Sequence, residues 1–289
     1  MKYAWIEEQK GSYPVRVLCK VLGVSRSSFY DWRERPLSER AQRREVIKAA
    51  VAESYEESER VYGHRKIHRD VVAMGYVCCK ETVRRVMLEL ELRAQKKKKF
   101  VVTTDSDHAD PVAPNLLARD FTATEPNQKW VADITYLATD EGWLYLATVM
   151  DLFNRQIVGW ATSENIDAAL VIEALANAIV QQKPEASLLL HSDRGAQYTA
   201  EQNQRAMEKH GIVCSMSRRG NCWDNACMER FFGSLKTEWT NHRRYRTRAE
   251  ATQDVFEYIE IFYNRKRRHA TLGYLSPLDF AKQHEARAA

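Results

Sequence analysis

The sequence predicts an α/β fold that follows a helical amino-terminal third. Three observations carry this expectation. Up to residue 95, apolar residues recur at helical spacing and are punctuated by glycines. Composition changes at Trp130, where three β-rich segments follow one another with short turns between them. Beyond them, helical stretches alternate with short apolar runs, the pattern of helices laid against a sheet. With 289 residues, 44% of them hydrophobic, the chain can bury a sizeable core. At roughly 100–200 residues per domain, this length suggests two or three domains. The expected division is a helix-turn-helix over 1–36, a second helical unit over 37–100, a linker over 101–124, a core over 125–240, and a C-terminal helix with a basic tail over 241–289.

Residues 13–34 read as a helix-turn-helix. Pro14 suits a first helical turn, and Val17, Leu18, Val21 and Leu22 mark an apolar face. Gly23 supplies the turn, and Ser25 can cap a second helix running through Phe29 and Trp32. That helix exposes Arg26, Ser27, Ser28, Tyr30 and Arg33, side chains suited to phosphates or bases, although a plain helical hairpin fits the same residues. Further on, Tyr62 to Ile67 opens one helix, Met74-Gly75-Tyr76 ends it, and Lys80 to Met87 begins another. This second helix-turn-helix-like unit offers Arg65, Lys66, Arg69, Arg84 and Arg85 to DNA. Lys96 to Lys99 form a four-lysine run, and 100–124, with Pro111 and Pro114, read as a linker.

In the core, strands are expected at Trp130–Leu137, Trp143–Leu152 and Gln156–Ala161, with a turn at Asp140-Glu141-Gly142. A helix over Asp167–Gln182 leads to a short apolar run at 187–190, the mark of a strand buried on both faces. Thr199–His210 reads as helix, Ile212–Met216 as strand, and another helix begins near Asp224. Arg248–Tyr263 forms a last amphipathic helix before the basic Arg265-Lys266-Arg267-Arg268-His269. Trp130, Trp143, Phe231 and Phe232 read as core rather than as platforms for bases.

Charge is unevenly spread. Residues 1–100 hold 23 Lys and Arg against 14 Asp and Glu, residues 101–217 hold 7 against 16, and residues 218–289 hold 14 against 9. Basic flanks around an acidic centre suit an enzyme acting on nucleic acid, because clustered carboxylates repel phosphates unless cations sit between them. Ordinary solvated surface fits the charge alone equally well. The six cysteines include no C-x-x-C pair, and no apolar run approaches the roughly 18 residues of a membrane helix. The expectation is a cytoplasmic, nucleoid-associated protein with no membrane partner.

Three carboxylates stand out. Asp133 lies inside the apolar strand Val131-Ala132-Asp133-Ile134, where an ionised side chain is costly unless paired or bound to metal. Asp193 directly follows a buried strand, at the carboxyl end where α/β sheets bind ligands. Glu229 sits early in a helix, with Lys236 two turns further along the same face. Singly, each has a bland reading: a strand-edge aspartate, a turn aspartate before Gly195, a helix-surface glutamate. His191 is not required as an acid–base group in chemistry run by metal ions. Asn225 can line the site or cap the helix, and Arg218 and Arg219 lie in the loop before it, a natural place for phosphate contacts.

Together these residues carry a family resemblance. Asn127-Gln128-Lys129-Trp130 with Asp133-Ile134-Thr135-Tyr136, His191-Ser192-Asp193-Arg194-Gly195-Ala196-Gln197-Tyr198, and Gly220-Asn221-Cys222-Trp223-Asp224-Asn225-Ala226 with Glu229 occur in order, as do Tyr263-Asn264-Arg265 and Leu272-Gly273-Tyr274. The chain resembles the DDE transposases of bacterial insertion sequences, specifically the downstream-frame (OrfB) product of the insertion-sequence-three group. Ala196 stands where relatives often carry Ser or Gly.

The resemblance implies a ribonuclease-H-like catalytic core, a mixed five-stranded sheet with helices on both faces, preceded by helix-turn-helix DNA-binding domains. It implies that Asp133, Asp193 and Glu229 bind two Mg²⁺ ions, with Mn²⁺ a substitute, and that Lys236 approaches DNA. It further implies duplex DNA partners (the element's terminal inverted repeats and target DNA), self-association on DNA, and an upstream-frame partner or fusion. An integrase or nuclease that cuts without joining, and a DNA-binding regulator, remain the alternatives.

Overall fold

The protein is described by a computed structural model covering residues 1–95, 112–218 and 222–288. The amino-terminal helices are α1 (Lys2–Gln9), α2 (Val15–Leu22) and α3 (Arg26–Glu34). Gly23 closes α2 in the left-handed region at φ +62°, which glycine alone adopts without a Cβ penalty. Ser25 precedes α3 but does not cap it; its hydroxyl lies 2.7 Å from that of Ser27. Helix α1 was not foreseen. It brings Ile6, fully buried, against Leu18, Cys19 and Phe29.

Three further helices, α4 (Glu39–Glu57), α5 (His64–Ala73) and α6 (Lys80–Glu89), form a second unit around Val51, Ile67, Val71, Val83 and Val86. Ser38 caps α4 by accepting from the Ala41 amide. The segment read as a linker is a strap where it is described, over 112–124. Leu117 is buried, and the amides of Leu116 and Leu117 both donate to the Ser215 hydroxyl, at 2.9 and 3.1 Å. The Lys96–Lys99 run and Pro111 lie outside the described residues.

The core is a five-stranded mixed sheet of β1 (Lys129–Thr139), β2 (Gly142–Asp151), β3 (Ile157–Ser163), β4 (Leu189–Ser192) and β5 (Val213–Met216), in the order β3-β2-β1-β4-β5. The three hairpin-linked strands pair antiparallel, whereas β4 and β5 add in parallel beside β1. Period-2 alternation sends Trp130 and Ala132 to one face and Val131 and Leu137 to the other. Helices α7 (Ala168–Gln182), α8 (Ala196–Thr199) and α9 (Glu201–Lys209) lie on the first face, and α10 (Ala226–Glu238) with α11 (Arg248–Phe256) on the second. Asp167 caps α7 through the Leu170 amide, 3.1 Å away. Helix α11 runs on as a π-helix over Glu257–Tyr263, and α12 (Pro277–Ala288) ends the described chain where only a basic tail was expected.

Helix α7 reaches the sheet by backbone contact at Gly159. A Cβ there would stand 2.4 Å from the Ala174 carbonyl and 2.5 Å from the Ala178 amide nitrogen. Both are backbone atoms, so the helix itself would have to move. Gly159→Ala is therefore expected to lower stability by about 2 kcal/mol or more, read as a shift of the urea midpoint; an unchanged midpoint contradicts this packing.

Candidate active site

Parallel pairing of β1 with β4 sets Val131 beside His191. Two residues further along each chain come Asp133 and Asp193, so one register delivers both carboxylates to the crevice at the carboxyl end of β4. The Asp133 carboxylate accepts from the Ile134 amide at 2.8 Å, and that of Asp193 from the Gly195 amide at 2.9 Å. A Cβ at Gly195 would lie 2.7 Å from Gln197 Oε1 and 3.2 Å from the Asp193 carboxylate, so these side chains would have to shift. Asp133 points to the face that carries α10, whose exposed Glu229 and half-buried Lys236 approach from above. The Lys236 ammonium lies 4.8 Å from the centre of the Tyr136 ring.

Burial, and next the Asp193 charge, push the Asp133 carboxyl well above the usual carboxylate range, with a smaller push from Glu229 and relief from Lys236. Burial raises Glu229 and lowers Lys236, the latter opposed by Asp133. Tyr198, buried beneath the site, is raised by burial and then by both aspartates. The donor set is all hard oxygen, the kind that suits Mg²⁺ or Mn²⁺. Two buried oxygens flank Asp133 with no hydrogen-bond partner: the Thr148 hydroxyl, directly across the ladder, and the Asn225 amide oxygen. Among the described residues, no three His, Cys, Asp or Glu side chains yet stand close enough to share one ion. The Asp193 charge bears on Asp133 more strongly than that of Glu229 does.

Asn225 stands at the N-cap position of α10, but its side chain makes no capping hydrogen bond. It is buried, and its amide donates to the Ala132 carbonyl at 3.0 Å, tying the start of α10 to the strand that carries Asp133. Arg218 is engaged within the chain. Its guanidinium grips the carboxylate of fully buried Asp224 at 2.8 and 3.0 Å, and its amide does so at 3.0 Å. Asn115 and Arg119 from the strap bond the same carboxylate at 3.0 and 2.8 Å. The hydrogen bond to Arg218 chiefly holds Asp224 well below the usual range. Asp224 thus ties Arg218 and the strap to the start of α10. Sequence reasoning missed it; an acid just after two arginines was the available signal. Arg219 lies outside the described residues.

His191 is structural. Ser215 already accepts two amides, so its hydroxyl donates to His191 Nδ1 at 2.8 Å, which leaves Nε2 as donor to the Ser217 hydroxyl at 3.1 Å. Burial lowers the ring to about 4 and keeps it neutral. Arg194 donates to the Ser217 carbonyl at 2.6 Å, joining the ends of β4 and β5.

Of the outlying candidates, Arg26, Ser27 and Arg33 are exposed on α3, and Arg65 on α5. Arg84 and Arg85 are exposed on α6, both paired with Glu81. Lys66 is corrected: it packs 4.5 Å over the Tyr62 ring, and burial, aided by Arg267, lowers it to about 7. Trp143 is corrected too. It is 51% exposed and meets Tyr136 edge-on at 4.9 Å, while Trp130, Phe231 and Phe232 are core as expected.

Residues 123–222 match the Integrase core domain family, residues 210–277 match a second family of that description, and residues 41–100 match the HTH-like domain family. The chain is 44% identical over 272 residues to the "Insertion element IS600 uncharacterized 31 kDa protein" of Shigella sonnei, covering 94% of this chain and 100% of that one. It is 40% identical over 288 residues to "Transposase InsF for insertion sequence IS3A" of Escherichia coli (strain K12), covering 99% of this chain and 100% of the relative. The chain belongs to the insertion-sequence-three family of transposases. The catalytic core domain of BIV integrase aligns over 56% of the transposase and 99% of that chain, at 16% identity and a TM-score of 0.42. The transposase core is a ribonuclease-H-like, DDE-type polynucleotidyl transferase domain, preceded by helix-turn-helix-like helices. No helix among the described residues is long and apolar enough to cross a membrane.

A raised folded-state pKa means that the folded transposase holds the Asp133 proton more tightly than the unfolded chain does. Its stability contribution is present at low pH and is lost as pH rises through the usual aspartate range toward the folded value. Above that range Asp133 is a liability in metal-free protein. Asp133→Asn is therefore expected to raise the metal-free Tm at neutral pH by about 2–4 °C while abolishing activity; a lowered Tm contradicts the repulsion described.

Proposed function

We propose that Asp133, Asp193 and Glu229 together hold two Mg²⁺ ions, replaceable by Mn²⁺, and that the transposase cuts and joins DNA there. The single observation behind this reading is the parallel register that delivers Asp133 and Asp193 to one crevice beneath α10, which carries Glu229, in an integrase core. When bound, the ions supply activation of the attacking oxygen and stabilisation of the leaving alkoxide. The carboxylates themselves remain ligands and form no bond to DNA. Water attacks the phosphorus at the element end, the P–O3′ bond breaks, and a 3′-hydroxyl is freed. That hydroxyl then attacks a target phosphodiester, forming one phosphodiester bond and breaking another. Lys236, held on Tyr136 beside Asp133, supplies a cation for the phosphate.

On this reading 1–36 and 37–100 recognise duplex DNA, with Arg26, Ser27, Arg33, Arg65, Arg84 and Arg85 on the exposed faces, while 125–240 carries the chemistry and 241–289 closes the core. The partners are terminal inverted repeats and target DNA. Protomers self-associate because two element ends must be processed, and an upstream-frame product completes the machinery. The setting is the cytoplasm, on the nucleoid.

The test is joining of a labelled element end in Mg²⁺ or Mn²⁺ by wild type and Glu229→Gln. Wild type is expected to join, and the variant to lose at least about a hundredfold in rate. Undiminished joining by Glu229→Gln contradicts the assignment, and cutting without joining by wild type favours a nuclease.

A further inference from the structure

Glu238 closes α10, two residues past Lys236. It makes a two-pronged pair with Arg267, Nε to one oxygen at 2.7 Å and Nη2 to the other at 2.6 Å. The two side chains are only 13% and 11% exposed. Arg267 also donates to the Ser234 hydroxyl at 3.2 Å, and the Tyr258 hydroxyl donates to Glu238 at 3.0 Å. The last turn of α10 is thus held from two sides. Arg267 stands on a segment that is itself pinned to the helical unit. Tyr62 donates to the Lys266 carbonyl at 3.2 Å and accepts from the Arg268 amide at 2.7 Å, and Arg268 pairs with Asp70 of α5.

A buried ion pair is a poor device for stability alone, since its desolvation cost offsets much of the attraction, and well-packed apolar residues often serve as well. What the planar guanidinium fork demands is one geometry. Helix α10 is therefore clamped at its start by Asn225 on Ala132 and at its end by Glu238 on Arg267, with Glu229 and Lys236 between the clamps. We propose that Glu238 is a positioning residue for strand transfer: gripped by Arg267, it sets the rotation and axial position of α10, and so where Glu229 and Lys236 stand over Asp133. The inference rests on the reading that Glu229 and Lys236 serve the reaction.

The test compares wild type, Glu238→Gln, Tyr258→Phe and Glu229→Gln as full chains. Four quantities are read: joining rate at saturating element-end DNA, DNA affinity by fluorescence anisotropy, Mn²⁺ affinity without DNA by titration calorimetry, and Tm. Glu238→Gln is expected to lower kcat about tenfold and weaken Mn²⁺ binding several-fold, with DNA affinity within about twofold of wild type. Tyr258→Phe, which removes only the phenolic hydrogen bond, is expected to lower kcat about threefold with the same pattern. It decides the matter if Glu238→Gln does not fold. A fallen Tm with kcat and Mn²⁺ affinity unchanged per folded molecule overturns the proposal, as does a loss confined to DNA affinity. If Glu229→Gln joins normally, the catalytic reading fails; if it is inactive while Glu238→Gln and Tyr258→Phe match wild type, only the positioning role fails.

Discussion

The structure turns on one electrostatic conflict. The parallel register of β1 with β4 drives Asp133 and Asp193 into a common crevice, where burial and the Asp193 charge oppose ionisation of Asp133. A folded chain with no other purpose would place apolar side chains there. Much of the surrounding architecture maintains that conflict. The Gly195 amide donates to the Asp193 carboxylate, β2 lays Thr148 across from Asp133, and Arg194 ties the ends of β4 and β5 together. Even His191, a natural candidate for proton transfer, is spent as a neutral strut between Ser215 and Ser217.

The third carboxylate arrives on a helix rather than on the sheet, and this difference shapes the site. A strand residue is placed by the hydrogen-bond ladder, whereas the placement of Glu229 depends on how α10 as a whole is seated. Its seating is distributed. Asp224 gathers Asn115, Arg119 and Arg218 before the helix, Asn225 bonds β1 at its start, and Phe231, Phe232 and Leu235 pack beneath it. Because the same apolar cluster continues into α4, α5 and α6, the helical unit and the catalytic face share one core. Tyr62 against Phe262 is part of that continuity.

Asp133 lies within an apolar strand, Asp193 at a strand end and Glu229 one helical face from Lys236, but singly each has a bland reading, and it is the ordered motifs of the family resemblance that join them. Period-2 and helical spacing likewise revealed the five strands and most helices. Other features had no local signature. Arg218 stands six residues before Asp224, but Asn115 and Arg119 lie 109 and 105 residues away and Arg267 is 29 residues from Glu238, so these distant partners could not be read from neighbours. Lys66 looked like a DNA contact because it stands among Arg65 and Arg69, yet its aliphatic stem and ammonium are drawn over Tyr62. Trp143 looked like core because it opens an apolar strand, but it lies at the hairpin end, beyond the packed face. Helix α1 has one fully buried residue, Ile6, and no capping side chain, too little pattern to detect.

The most direct test of the central claim is anomalous diffraction from transposase crystals soaked in Mn²⁺, recorded at the manganese edge. The account predicts manganese peaks in the crevice between Asp133 and Asp193, with Glu229 drawn in as a ligand. Peaks elsewhere, or a crevice that holds none at millimolar Mn²⁺, would contradict it.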